Sequence, residues 1–399
     1  MPTTPKSEID GRILILQRGL IERGLDAAMI VQHVDLYYLA GTLQTCHLLV
    51  PASGAPRLLV RKVIERARSD SALADIQPLT SMRKLPDHLK ELCGPRPWRI
   101  GMELDVLPVK TFQFYLKTLG AESKIEDIAS TILTQRQIKS AWELEQIRLS
   151  GTINDGLYAA MSDVLRPGMS TVALQGSLET AARELGNLGV SRFRGMNMEC
   201  SPGVVVSGPG GAAPSHSQFP IGGRGIHPAM PHGADLDPIV PGIPIIFDFL
   251  TNATGYHNDQ TRMAVVGAMP DDAQQIFDSM QTVLREVESI LQPGSIPVDI
   301  YEAALAVAAA HGLGDAFMGP PGYGAGFLGH SIGLEVNEMP VLAPKFEAPL
   351  CPGHVFAIEP KYTHPDYGVI GLENTYAITE TGFKRLSAAP EDVLVVDAP

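Results

Sequence analysis

The 399-residue chain has little of what marks several large protein classes. Its four cysteines, Cys46, Cys93, Cys200 and Cys351, are far apart and form no CxxC pair. That excludes a disulfide framework and a structural zinc finger, and it fits a reducing, cytoplasmic setting. No apolar run approaches the length that crosses a bilayer, so no membrane partner is expected. The first dozen residues carry Lys6 and Arg12 but no apolar segment, so no secretory leader is expected either. Basic residues are outnumbered, 31 Lys+Arg against 44 Asp+Glu, for a net charge of −13. With no surplus to neutralise phosphates, nucleic acid is not an expected partner. Walker A and HExxH are absent, and the glycines at 208, 210 and 211 form no dinucleotide fingerprint between a strand and a helix. Internal repeats and low-complexity tracts are absent as well.

What is present fits a folded chain, with 45% hydrophobic and 19% charged residues, too long for one ordinary core. Residues 1–138 alternate between helix-like and strand-like stretches, including an amphipathic segment at 12–23 and a hairpin around Ser53-Gly54, and read as an α/β domain. Ser140 and Glu143 have the S-x-x-E form of a capping box, and the helix they open runs to Leu165 and ends at Pro167-Gly168. The junction therefore lies near residue 138, with a second, α+β domain over 139–399. In residues 201–242, 17 of 42 positions are Gly or Pro, which argues against a helix and allows only short strands. A loop of that length is a lid candidate, placed at 206–233. A strand at 243–249, a turn at Ala253-Thr254 and a return strand to 266 follow. Then come helices at 271–291 and 298–311, a glycine-rich stretch, and strands at 354–362 and 369–379.

Acids stand inside these apolar strands. Asp248 ends Ile243-Pro244-Ile245-Ile246-Phe247, and Asp259 begins the return strand. Their odd separation lets them face each other across a hairpin, where two carboxylates repel unless a cation lies between them. On spacing alone, two solvated strand ends fit equally well. Glu359 follows Phe356-Ala357-Ile358, and Glu373 sits in Ile370-Gly371-Leu372-Glu373-Asn374-Thr375. A carboxylate buried without a partner costs several kcal/mol, so each suggests a partner or a solvent-facing position. His330, in Gly329-His330-Ser331-Ile332-Gly333-Leu334, lies between the pairs. Four oxygen donors and one imidazole suit divalent ions such as Mn²⁺, Co²⁺, Fe²⁺ or Zn²⁺.

The order Asp248, Asp259, His330, Glu359, Glu373, with Gly255-Tyr256-His257-Asn258-Asp259-Gln260-Thr261-Arg262 and Ile358-Glu359-Pro360 around it, resembles the pita-bread metallopeptidases: methionine aminopeptidase, aminopeptidase P and prolidase. Residues 10–135 resemble the creatinase-type N-terminal domain of the last two. The resemblance implies an α/β creatinase-like domain followed by an α+β pita-bread domain. It also implies two divalent metal ions, manganese foremost, held by those five residues. A metal-bridging hydroxide would attack the carbonyl of a short peptide, plausibly at an Xaa-Pro bond, with Glu359 as proton shuttle and His216 holding substrate. A cytoplasmic homodimer is implied too. Three departures stand out: Asn337 replaces a second histidine of the GHxxGLxxHE motif, Gly371 replaces a frequent arginine, and residues 217–237 are longer than usual. They leave open a non-peptidase metalloenzyme on the same fold, amidinohydrolase- or lyase-like, or a non-catalytic binding protein. Gly329-His330-Ser331-Ile332-Gly333 also fits the G-x-S-x-G nucleophile elbow, but it lacks the flanking strand and helix that motif needs.

Overall fold

In a computed structural model describing residues 3–397, the first sheet has six strands. Their spatial order is Ile76–Pro78, Arg57–Val60, Cys46–Pro51, Ala27–Ile30, Arg99–Met102 and Lys124–Asp127. Arg57–Val60, Cys46–Pro51 and Ala27–Ile30 pair antiparallel, and the other three pairings are parallel. Ala27–Ile30 and Cys46–Pro51 are buried at every position, as strands covered on both faces must be. The first helix, Lys6–Glu22, starts earlier than the amphipathic segment suggests and buries Ile9, Ile13, Leu16 and Leu20 on one face. Residues up to Arg136 form one unit, which also takes in Arg194–Met198. Arg194 is held there by Asp35 at 3.0 Å.

The second unit comprises Gln137–Phe193 and the chain from Glu199 onward. Its long helix, Ala141–Val164, opens on the expected capping box: Ser140 Oγ accepts the Glu143 N–H at 3.2 Å, and Glu143 Oε2 accepts the Ser140 N–H at 3.0 Å. The other oxygen of Glu143 accepts the Tyr256 hydroxyl at 2.9 Å, which ties this helix start to a hairpin turn. A four-stranded sheet has the order Leu394–Val396, His257–Val266, Ile245–Asn252, Gly203–Ser207. Helices Ala141–Val164 and Thr171–Glu184 cover one of its faces through Ile153, Leu157, Met161, Leu174 and Leu178. A five-stranded sheet has the order Glu338–Leu342, Gly329–Ser331, Val355–Ile358, Asn374–Ile378, Phe383–Arg385. Helices Asp271–Ile290 and Pro297–Ala310 share its core through Phe277, Met280, Leu284 and Ile300.

Two sequence expectations are corrected here. The strands expected at 354–362 and 369–379 are each broken in the middle, into Val355–Ile358 and Lys361–His364, and into Gly368–Gly371 and Asn374–Ile378. Pro360 has no N–H for the ladder, so the chain leaves the five-stranded sheet there and forms a separate two-stranded ribbon. The segment 201–242 is also less irregular than its composition suggests. It holds the strand Gly203–Ser207, so any lid begins later, and one helical turn at Gly208–Gly211. Beyond that turn the chain stacks backbone on backbone: at Gly223, with φ +111°, an added Cβ would lie 2.4 Å from the Gly233 carbonyl.

Candidate metal centre

Strands Ile245–Asn252 and His257–Val266 pair over eight rungs. Asp248 lies opposite Thr261, and Asp259 opposite Leu250. The aspartates are thus diagonal neighbours rather than directly opposed, because the turn spans four residues, 253–256, instead of two. Asn252 Oδ1 accepts the Gly255 N–H at 2.6 Å and fixes that longer turn. The parity of the register is unchanged, so both carboxylates still share one face.

Opposite them stand Glu359 and Glu373, each just outside a strand end at the break between sheet and ribbon. The Glu373 N–H donates to the Thr261 carbonyl at 3.1 Å, and Thr261 Oγ1 donates to Glu373 Oε2 at 2.7 Å. Thr375 Oγ1 accepts the Asp259 N–H at 3.1 Å and donates to the Asp259 carbonyl at 2.9 Å. These bonds lock the two sheets together where the acids converge. His330, on Gly329–Ser331, places Nε2 3.8 Å from both Asp259 Oδ2 and Glu359 Oε1. The structure thus brings all five expected donors together. Asp259, His330 and Glu373 offer ligand atoms within 4.8 Å of one another, and so do Asp248, Glu359 and Glu373.

The electrostatics of the first trio suit a cation. Asp259 Oδ1 and Glu373 Oε1 are buried and have no hydrogen-bond partner among the described residues. Burial, then Glu373 and its fellow acids, push the Asp259 carboxyl well above the carboxylate range. Burial and Glu373 do the same to Glu359. Burial lowers the His330 pKa, which favours the neutral imidazole that a metal takes. Orphaned hard oxygens beside a neutral imidazole form a donor set that a divalent ion satisfies.

The second trio already has a cation. Lys361, fully buried, places Nζ 2.5 Å from Glu359 Oε2, 2.8 Å from Glu373 Oε2 and 3.2 Å from Asp248 Oδ2. Burial alone would lower its pKa, but Asp248, Glu359 and Glu373 hold it well above the usual lysine value. Sequence reasoning missed this residue, since a lysine in the strand expected at 354–362 carries no mark of burial. The available signal was Gly371, its cross-strand partner, where an added Cβ would lie 2.4 Å from the Pro360 carbonyl and 2.9 Å from Lys361 Cγ.

A cavity over the acids is walled by Phe193, Phe219, Ile221, His232 and Val336. His232 is buried against Phe219 and bonds the Ile221 carbonyl through Nε2 at 3.0 Å, and burial lowers its pKa. His216, the histidine expected here, is exposed and does not line the cavity, because the loop turns His232 inward instead. Asn337 is likewise exposed and outside the lining. Ser331 is buried and its Oγ donates to the Val355 carbonyl at 2.8 Å, which disposes of the nucleophile elbow.

The profile of the Creatinase/Prolidase N-terminal domain matches residues 12–138. An Xaa-Pro dipeptidase of Pyrococcus furiosus is 25% identical, with 96% of this chain and 99% of that protein covered. Among solved structures, the Xaa-Pro dipeptidase from Bacillus anthracis superposes with a TM-score of 0.82 at 21% identity, covering 97% of this chain and 100% of the other. The X-Pro aminopeptidase from Thermotoga maritima gives 0.80 at 21% identity, covering 94% and 99%. The fold is therefore the creatinase-type domain joined to a pita-bread domain. The profile of Metallopeptidase family M24 matches residues 145–380, a span that takes in Asp248, Asp259, His330, Glu359 and Glu373 and more than half of the chain. The chain thus belongs to metallopeptidase family M24 and is a peptidase dependent on divalent metal ions.

Proposed function

We propose that this protein hydrolyses short peptides at Xaa-Pro bonds, as a dipeptidase or aminopeptidase, with Asp259, His330, Glu359 and Glu373 holding a divalent ion. One observation carries the reading: oxygens of Asp259 and Glu373 that are buried and without a hydrogen-bond partner among the described residues, clustered with His330. A bound ion there supplies Lewis-acid polarisation and a lowered water pKa. Glu359, whose carboxyl burial raises, takes and returns the proton. Phe193, Phe219, Ile221 and Val336 exclude water and suit an apolar pyrrolidine ring. His232 faces the same space and is the residue of this chain best set to orient a substrate carbonyl.

The oxygen-rich donor set favours manganese among the candidates. The relative from Pyrococcus furiosus supports the choice of peptide. A homodimer with domains at 1–138 and 139–399, working in the cytoplasm, completes the reading, consistent with four free cysteines. The test is a metal-reconstituted screen against dipeptides and tripeptides with and without proline, beside a chelated control. Preferential cleavage before proline that vanishes with chelator is expected. Full turnover in chelator, or no cleavage with any ion, sinks the reading.

A further inference from the structure

We propose that the centre is built for one divalent ion, and that the Lys361 ammonium fills the second cation position between Asp248, Glu359 and Glu373. The inference rests on the metallopeptidase reading above and gives the centre one ion fewer than the family resemblance implies.

The division of oxygens carries it. Glu359 turns Oε2 to Lys361 at 2.5 Å and Oε1 toward His330, whose Nε2 is 3.8 Å away. Glu373 gives Oε2 to Lys361 at 2.8 Å and to Thr261 Oγ1 at 2.7 Å, while its Oε1 has no partner among the described residues. Asp259 makes no contact with Lys361 within ion-pair distance among the described residues, and its Oδ1 is also without a partner. Glu359 thus has one oxygen toward the ammonium and one toward the histidine. The unpartnered oxygens, Asp259 Oδ1 and Glu373 Oε1, belong to the acids of the histidine trio, and neither bonds Lys361 among the described residues. Asp248, which belongs to the other trio from His330, gives Oδ2 to Lys361 at 3.2 Å.

The backbone holds the lysine in this position. The Lys361 carbonyl accepts the Met318 N–H at 2.7 Å, and the ribbon pairs Lys361 with Gly371. Gly371 is the position where the family often has arginine, and a Cβ there would lie 2.9 Å from Lys361 Cγ. The glycine makes the room that the lysine stem uses. Charge agrees. With all four carboxyls ionised as ligands, their −4 is met by one divalent ion and the ammonium to leave −1 in a buried site. A second divalent ion would make the site net positive and set like charges in contact.

The experiment measures stoichiometry. Metal-free protein is dialysed to equilibrium against Mn²⁺ and, separately, Zn²⁺, and elemental analysis gives ions per chain, with EPR of the Mn²⁺ form. Wild type should bind one equivalent and give an uncoupled Mn²⁺ spectrum. Lys361→Ala should bind two and give an exchange-coupled one. Should that variant fail to fold, Asp248→Asn serves: it should keep the single equivalent with affinity within about 3-fold of wild type, whereas Asp259→Asn should lose it. Two equivalents in wild type, none in wild type, a single equivalent in Lys361→Ala, or loss of the ion in Asp248→Asn would each overturn the inference. One bound ion with no peptide hydrolysis would sustain the inference and defeat the functional reading, so the two fail separately.

Discussion

Arg262→Lys tests how the pita-bread domain holds its second pair of acids. Arg262 is almost completely buried and donates five hydrogen bonds. They run from Nε to the Pro390 carbonyl at 2.6 Å, from Nη1 to the carbonyls of Thr261 at 2.8 Å and Glu373 at 2.7 Å, and from Nη2 to Asn374 Oδ1 at 2.7 Å and the Ala389 carbonyl at 3.0 Å. The guanidinium therefore ties the Asp259 strand to the Glu373 backbone and to the C-terminal segment at once. An ammonium keeps the charge but has only three donors, so at least two buried acceptors lose their partner. Each orphaned acceptor costs about 1–3 kcal/mol, which predicts a loss of about 2–6 kcal/mol for Arg262→Lys. Arg262→Met removes all five donors and should exceed the whole stability of an ordinary domain, about 5–15 kcal/mol, or come close to it. Urea unfolding of the lysine variant in chelator reads the effect without metal linkage. A second readout is the affinity for Mn²⁺, which should fall because the Glu373 backbone is no longer pinned. If Arg262→Lys unfolds within about 0.5 kcal/mol of wild type and binds Mn²⁺ equally well, the argument is wrong.

Asp259→Asn and Glu359→Ala should both abolish hydrolysis with the far-UV spectrum intact. In chelator, Asp259→Asn should also unfold at a higher urea concentration than wild type, since it removes a carboxyl that burial and its neighbours disfavour as a charge; near-normal turnover in either would refute the site. Gly371→Ala puts a Cβ 2.4 Å from the Pro360 carbonyl, so calorimetry should show a destabilisation of about 1–3 kcal/mol, and an unchanged Tm would contradict the packing. His257 is buried, and burial foremost lowers its pKa to about 4 from the ordinary 6.5. The unfolded chain therefore takes up the proton first as pH falls: stability is complete above about 6.5 and is lost progressively toward about 4, by on the order of 2 kcal/mol at about pH 5. In His257→Gln the gap between unfolding free energies at about pH 7.5 and about pH 5 should shrink by that amount, and an unaltered gap would refute the assignment.

The five donors were legible because each is an acid or histidine set among apolar strand residues, where burial makes an unpaired charge costly. Their order along the chain did the rest. The exact facing of Asp248 and Asp259 was not legible, since it depends on a turn two residues longer than the one expected, fixed by the Asn252 side chain. The breaks at Glu359 and Leu372 were hidden because apolar alternation continues through them while the ribbon swings away at Pro360. His232 and His216 sit in one loop of uniform composition, and only tertiary packing against Phe219 selects the first. Lys361 was hidden for another reason: a lysine is a surface residue by default, and its burial depends on three carboxylates that only the folded chain brings together, Asp248 from 113 residues away and Glu359 and Glu373 from either side of the ribbon.

The bonds between Thr261 and Glu373 span 112 residues of sequence, and this has a consequence for the order of events during synthesis. A nascent chain that has released the hairpin of Asp248 and Asp259 holds two diagonal carboxylates, a weak and water-exposed pair. Metal selectivity can arise only after the final ribbon emerges, bringing Glu359, Lys361 and Glu373 together. The centre cannot template the fold. It is a late product of loop closure, and a cell short of the right ion would still complete the polypeptide framework before any choice of ion is made.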